Sequence, residues 1–341
     1  MSDKWIFWFE ELGTGDNDRV GKKCANLGEM TRLGLRIPPG FAISIDGYER
    51  FMAETGAGEE IRRYVQENRE HLKEIKNQII ASKAIRNIIE SKEMPPEMRE
   101  ELFRFYDQLK ERAGDKELSV AVRSSGAVSM PGQMESYLNV RWKESVLQKM
   151  IQVWGSAFTT RAIAFRLEKG MAMEKAPIGI AVLKMVEAKS AGVVLTVLPT
   201  IGDLSKVVVE GNWGLGESVV SGEVNPDQFI VDKSDGTVES TVNRKTKMVV
   251  YHDGGTITAN VPAEIQGKPC VDPEELKEIV RVAKQVEDHF QTPQDMEWVL
   301  DRFQSIPDSL YWVQARPAKY TKAKEKESEY LAELMTRMFK R

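Results

Sequence analysis

The sequence predicts an α+β protein in two parts, and three observations predict it. Residues 46–113 are rich in Glu, Lys, Arg, Leu and Ile and poor in glycine, the composition of helices with solvated faces. Beyond Pro177 the character changes to β-branched runs, IGIAVLKMV, AGVVLTVLP and KVVVEG, cut by Gly, Pro, Asp and Ser, which is the pattern of buried strands between turns. At 341 residues the chain is long enough for a full core and for more than one lobe.

Taken in order, DRVGKKCANLGEMTRLGL (18–35) opens with a Gly-marked turn and continues as a helix with Ala25, Leu27, Met30, Leu33 and Leu35 at helical spacing. IPPGFAIS reads as a break and a short strand. The helices of 46–113 are interrupted at MPPE (94–97), and LSVAVR (118–123) is a strand feeding a small-residue loop. Residues 143–168 form further helix, whose Trp154, Phe158 and Phe165 are expected in the core. After the strands of the second half, QFIVDK and TKMVVY add two more, DPEELKEIVRVAKQVEDHF (272–290) is a helix, and DMEWVLD (295–301) with SLYWVQARP (309–317) makes a final strand pair. The expected division is a first lobe over 1–175, a second over 176–317, and a charged helical tail over 318–341 with Leu331, Leu334, Met335 and Met338 on one side.

Composition excludes several functions. Lys and Arg (48) are slightly outnumbered by Asp and Glu (52), for a net charge of -4, which argues against a nucleic-acid binder. No apolar run reaches the roughly 18 residues of a membrane span, and MSDKWIFWFEELG lacks the layout of a signal peptide, so a cytoplasmic location is expected. Cys24 and Cys270 are far apart and belong to no CxxC pair, and His71, His252 and His289 read as solvated.

Three stretches carry candidate chemistry. In VRSSGAVSMPGQMESYLNV (122–140), Arg123 stands at the mouth of a loop whose small residues let backbone approach a phosphate chain, or it is a solvated arginine on a surface loop. In the last strand pair, Asp295 and Glu297 share one face of their strand, and Gln314 and Arg316 share one face of theirs. Such a hairpin suits Mg²⁺ and the phosphates it bridges, or forms an ion-pair ladder on an exposed sheet face. In VVVEGNWGLGESVVSGEVNPD (207–227), Glu210 and Glu217 beside permissive backbone could hold a ribose or line a cleft.

VGKKCANLGEMTRLGLRIPPGFAIS, VRSSGAVSMPGQMESYLNV, NWGLGESVVSGEVNPDQF and DMEWVLD with LYWVQARP resemble, in order, the signature regions of the N-terminal nucleotide-binding domain of phosphoenolpyruvate synthase and pyruvate phosphate dikinase. The resemblance implies an ATP-grasp fold, two α+β lobes closing on Mg·ATP, with a helical insertion in the first lobe. It puts the family's phosphate-binding lysine on Lys23 and its VRSS arginine on Arg123, beneath a lid loop at 124–135. Gly132 and Ser136 match loop positions that contact phosphates, and Lys184, Met185 and Val186 match the strand that edges the adenine. Glu297 and Gln314 match Mg²⁺ and triphosphate ligands with Asp295 nearby, and Arg316 matches the arginine that neutralises the phosphoryl group in flight. The sequence departs from the family in having Lys22 and Cys24 for glycines and Leu183 for a glutamine.

The family's phosphohistidine motif has no counterpart in this sequence. The expectation is therefore a subunit of a split dikinase, passing a pyrophosphoryl group from ATP to a histidine on a partner subunit and releasing AMP and Pi. The small acceptor would bind the partner. Phenol is expected, as in the similar arrangement of phenylphosphate synthase, with pyruvate next; the alternative is a non-catalytic ATP-sensing module. The tail is expected to dock on the partner.

Overall fold

The computed structural model describes residues 4–126, 135–176 and 178–321. The first half runs β1 (Ile6–Trp8), α1 (Asn17–Arg32), β2 (Gly40–Ile43), α2 (Ile45–Glu54), α3 (Ala57–Glu67), α4 (Ile75–Glu90), α5 (Pro96–Ala113), β3 (Ser119–Gly126), β4 (Ser136–Arg141), α6 (Lys143–Ser156) and α7 (Thr160–Glu168). The second half runs β5 (Ile178–Lys184), β6 (Ala188–Leu195), β7 (Lys206–Trp213), α8 (Glu217–Val220), β8 (Asp227–Asp232), β9 (Val238–Thr241), β10 (Lys247–His252), β11 (Gly255–Asn260), α9 (Pro273–Phe290), β12 (Gln294–Asp301) and β13 (Leu310–Pro317).

The strands form two large antiparallel sheets. One has the order β1-β2-β5-β3-β4, the other β13-β12-β6-β7-β8-β9, and β10–β11 is a separate hairpin. The chain is thus a mixed α/β protein with antiparallel sheets. The boundary expected at residue 176 falls before β5, yet β5 pairs with β2 and β3 in the middle of the first sheet. The opening WIFWF contributes an edge strand beside β2, a role its apolar composition alone did not announce.

Local signals explain most elements. Pro273 occupies the first turn of α9, where its missing N–H costs nothing, and Asp272 and Glu275 cap it reciprocally. Gly114 closes α5 in a left-handed conformation. Along β12, Met296, Trp298 and Leu300 are buried while Asp295, Glu297 and Val299 lie on the opposite, more open face, the period-2 alternation of a half-buried strand.

Two cores result. The helices α2–α7 pack on the first sheet around Trp5, Phe51, Trp154 and Phe158, so the aromatic stripe is core except for half-buried Phe165. The other core joins the sheets: Ala121, Ala181 and Leu183 of the first share a cluster with Trp298, Met296 and Trp312 of the second, together with α1 and α9.

Candidate functional site

The N-terminal part of α1 is broken at Gly21, whose φ of +79° is outside the helical region. A Cβ there would meet the Ser125 carbonyl oxygen at 2.0 Å, so only glycine lets α1 approach the end of β3 this closely. The Cys24 N–H then donates to Ser125 Oγ (3.1 Å). This contact fixes Lys23, one residue away, beside the neighbourhood of Arg123.

Arg123 projects from β3 towards the second sheet. Its guanidinium donates to Glu297 Oε2 (2.7 Å) and to the Val313 carbonyl (3.2 Å), joining β3 to β12 and β13. Gln314, directly opposite Glu297 in the hairpin, donates to Glu297 Oε1 (2.8 Å). Asp295 pairs with Arg316 opposite it at 2.9 Å. The hairpin therefore presents its four polar side chains as expected, in a ladder of two rungs, with Arg123 reaching across from the other sheet.

Electrostatics tie the cluster together. Burial pushes the Glu297 carboxyl up, but Arg123, Lys23 and Arg316 outweigh it and leave it below the ordinary carboxylate range. Lys23 moves the other way. Burial, with repulsion from Arg123, lowers its ammonium to about 7, against a partial offset from Glu297. Arg123 Nε is buried with no hydrogen-bond partner among the described residues. Lys23, Arg123 and Arg316 set against Glu297 and Asp295 leave a surplus of positive charge available to an anion wherever Lys23 is protonated.

A cavity of 480 Å³ opens beside this cluster, a volume suited to a nucleotide-sized ligand. Arg123, Ser136 and Glu297 form one end of its lining, and Lys184, Met185 and Val186 another. Glu217 lines it from the first turn of α8 and accepts from Thr256 Oγ1 (3.1 Å). Lys23, Asp295, Gln314 and Arg316 are not among its lining residues; they belong to the charged cluster behind Arg123 and Glu297. Gly132 and most of the loop expected at 124–135 lie outside the described residues, while 124–126 continue β3 instead of starting a loop.

Sequence reasoning missed the cover on this cavity. The β10–β11 hairpin contributes Val249, Thr256, Ile257 and Thr258 to its wall. It is pinned by Asn139 Nδ2 donating to the Gly255 carbonyl (2.8 Å) and by the Tyr251 hydroxyl donating to the Val186 carbonyl. The Val186 carbonyl, expected to face a base, thus already has one donor. The Asp-Gly-Gly turn between MVVYH and TITAN was the available hairpin signal.

Comparison with known proteins decides the family. A model described as "Pyruvate phosphate dikinase, AMP/ATP-binding domain" matches residues 17–336. The chain belongs to this family. It is 36% identical over 323 residues to a probable phosphoenolpyruvate synthase of Methanothermobacter thermautotrophicus, covering 92% of this chain and 46% of that relative. Similar proteins include a probable phosphoenolpyruvate synthase of Methanocaldococcus jannaschii, 36% identical over 96% of this chain and 28% of that one. A phosphoenolpyruvate synthase of Aeropyrum pernix is 34% identical, over 96% of this chain and 44% of the relative. The chain thus spans less than half the length of these relatives. The family is described as an AMP/ATP-binding domain. None of these relatives carries a phenol-related name, and the expected phenol acceptor has no support from them. Among the described residues, no helix is long and apolar enough to cross a membrane.

The donor set fits Mg²⁺. Glu297, Gln314 and Asp295 offer hard oxygen atoms on one sheet face, and no group of three or more His, Cys, Asp or Glu able to cage a metal is found among the described residues. A few protein oxygens supplemented by phosphate oxygens are what Mg²⁺ commonly takes.

Lys23 gives the site a pH signature. A phosphate bound beside Lys23 would favour its charged form, so the ammonium is expected to titrate higher in such a complex than at about 7 in the free chain. Below the free value both states are protonated and affinity is flat on this account. Above it, binding takes up a proton, and affinity falls by up to about tenfold per pH unit. Calorimetry at about pH 8 in buffers of different ionisation heat is expected to show this uptake, and Lys23→Met to abolish it. Absence of uptake in the unsubstituted chain would refute the assignment.

Proposed function

We propose that this chain is the nucleotide half of a dikinase-type phosphotransferase, in which the two sheets close on Mg·ATP and deliver a pyrophosphoryl group to a histidine outside the chain's own described residues. The observation that carries the reading is the Lys23, Arg123 and Arg316 cluster converging on Glu297, with Arg123 and Glu297 lining the cavity, within a chain of the AMP/ATP-binding family.

In the proposed reaction, a histidine nitrogen of a partner attacks the β-phosphorus. The bond from that phosphorus to the oxygen of the α-phosphate breaks, and AMP leaves with the electron pair. Water then attacks the γ-phosphorus and releases Pi, leaving phosphohistidine. Phosphoryl transfer from that histidine to an acceptor completes the cycle. Pyruvate is the acceptor favoured here, because the relatives described above are named phosphoenolpyruvate synthase or probable phosphoenolpyruvate synthase.

The chain's own residues bind, orient and neutralise. Adenine lies against Lys184, Met185 and Val186, with Glu217 and the β10–β11 hairpin closing over the ribose side. Arg123 exchanges its bond to Glu297 for phosphate oxygens, and Lys23 and Arg316 spread the charge that develops during transfer. Ser136, paired with Arg123 across β3 and β4, lies where it can donate to the same phosphates. Glu297, Gln314 and Asp295 would hold Mg²⁺, which supplies charge neutralisation on the triphosphate.

The test supplies the chain with ATP labelled at the β-phosphate, together with the remainder of a related phosphoenolpyruvate synthase lacking its own nucleotide domain. Acid-labile label on that partner, with one AMP per label, is the expected result. ADP as the nucleotide product, with no label on the partner, would overturn the reading.

A further inference from the structure

Trp142 is poorly explained by packing. It stands at the N-terminus of α6 with φ 63° and ψ 140°, a region that penalises any residue bearing a Cβ. Its side chain is nevertheless 68% exposed, so burial does not offset the strain. The conformation is held by its neighbours: the Val146 N–H donates to its carbonyl (3.0 Å), and its backbone bonds the Tyr106 hydroxyl.

The indole lines a groove of 450 Å³ between the end of α5, the start of β3 and the start of α6. Lys143 is paired there with Asp107 (3.0 Å), and Arg141 approaches Glu117 at 3.9 Å. Lys110 and Lys116, which also line the groove, enter no ion pair among the described residues. Against these two free ammonium groups stands one remaining carboxylate, Glu144, in the first turn of α6. The groove thus combines an exposed aromatic with surplus positive charge.

We infer that this groove is a docking surface for an acidic segment of a partner protein, which lays an apolar side chain on the Trp142 indole. Tryptophan and arginine are the residue types that anchor protein interfaces, and unpaired rim lysines steer an acidic partner. The position suits docking that leaves the nucleotide cluster free. Arg141 pairs with Ser119 at one end of β3–β4, whereas Ser136 pairs with Arg123 at the other, about 13 Å away along the strand.

Hydrogen bonds through Asn139 also connect the groove to the wall of the nucleotide cavity. Arg141 Nε donates to Asn139 Oδ1 (3.3 Å), and the same oxygen accepts from Ser119 Oγ (2.7 Å). Asn139 Nδ2 holds the hairpin at Gly255, and the Ser119 carbonyl accepts from the Met185 N–H (2.8 Å). Occupation of the groove has a physical path to both walls of the cavity. The inference stands independently of the proposed phosphotransfer.

An array of peptides of about twelve residues tests it, half of their positions Glu or Asp and each with one Leu, Phe or Trp, beside a matched basic array. Acidic peptides are expected to bind the full chain saturably and the basic ones not. Trp142→Gly should weaken binding about tenfold or more while raising Tm by a few degrees, because glycine adopts this backbone without strain, and should leave Mg·ATP affinity in place. Lys110→Glu with Lys116→Glu should weaken it too. Four results would each overturn the inference: no acidic peptide bound, equal binding by Trp142→Gly, displacement of the peptide by inorganic tripolyphosphate at this groove, or self-association of the chain through Trp142 in sedimentation.

Discussion

Arg123→Ala is expected to lose measurable nucleotide binding and to destabilise the ligand-free chain by about 2–4 kcal/mol. The two effects share one cause. Arg123 and Glu297 are each only 14% exposed, and the guanidinium is the main compensation for that carboxylate. Removing it leaves a desolvated charge beside a cavity and breaks the bond that joins β3 to β12 and β13. The range sits below that of a fully buried pair because some solvent reaches both groups. Urea unfolding measures the loss. Adding Glu297→Gln should restore part of the stability without restoring binding, because it removes the stranded charge but not the need for a cation at the phosphates. An Arg123→Ala chain as stable as the parent and equally able to bind ATP would refute both roles.

A second large effect is expected away from the cavity. Asp227 and Lys245 are fully buried and joined at 2.6 Å. Asp227 also accepts from the Asn243 N–H (2.9 Å) and the Cys270 N–H (2.8 Å), and Lys245 donates to the Asn243 carbonyl (2.8 Å). One carboxylate thus ties the start of β8 to the connection before β10 and to the approach of α9. Asp227→Ala strands an ammonium and two N–H groups in the interior, for an expected cost of about 3–5 kcal/mol. Asp227→Leu with Lys245→Met, which removes both charges, should be markedly less damaging than the single change. Thermal unfolding of the three variants checks this, and a single variant as stable as the double would contradict it.

Much of this fold was legible because its elements repeat strong local patterns. The alternation in DMEWVLD and LYWVQARP set both the strands and which face carries Asp295, Glu297, Gln314 and Arg316, since a residue's face follows from its parity along a strand. The capping signals around Pro273 and the Pro-Pro break before α5 placed those helices. What stayed hidden depended on partners distant in sequence. WIFWF forms a strand only because β2 offers it an edge, and β5 joins the first sheet although it follows the change in composition. Of the site, the charged residues were named from their types and spacing, but the bond between Arg123 and Glu297 spans 174 residues and no local pattern encodes it. Tyr251 and Asn139 escaped notice because a lone tyrosine or asparagine carries no signal until the hairpin folds over Val186 and Gly255.

The most direct measurement is a calorimetric titration of the chain with Mg·ATP, alongside Arg316→Ala. The unsubstituted chain is expected to bind one equivalent with little AMP formed. The variant should bind too, because Arg316 is 51% exposed and already engaged by Asp295, but it should fail in transfer to the partner. No heat and no binding by the unsubstituted chain, at a pH where Lys23 is charged, would contradict the account.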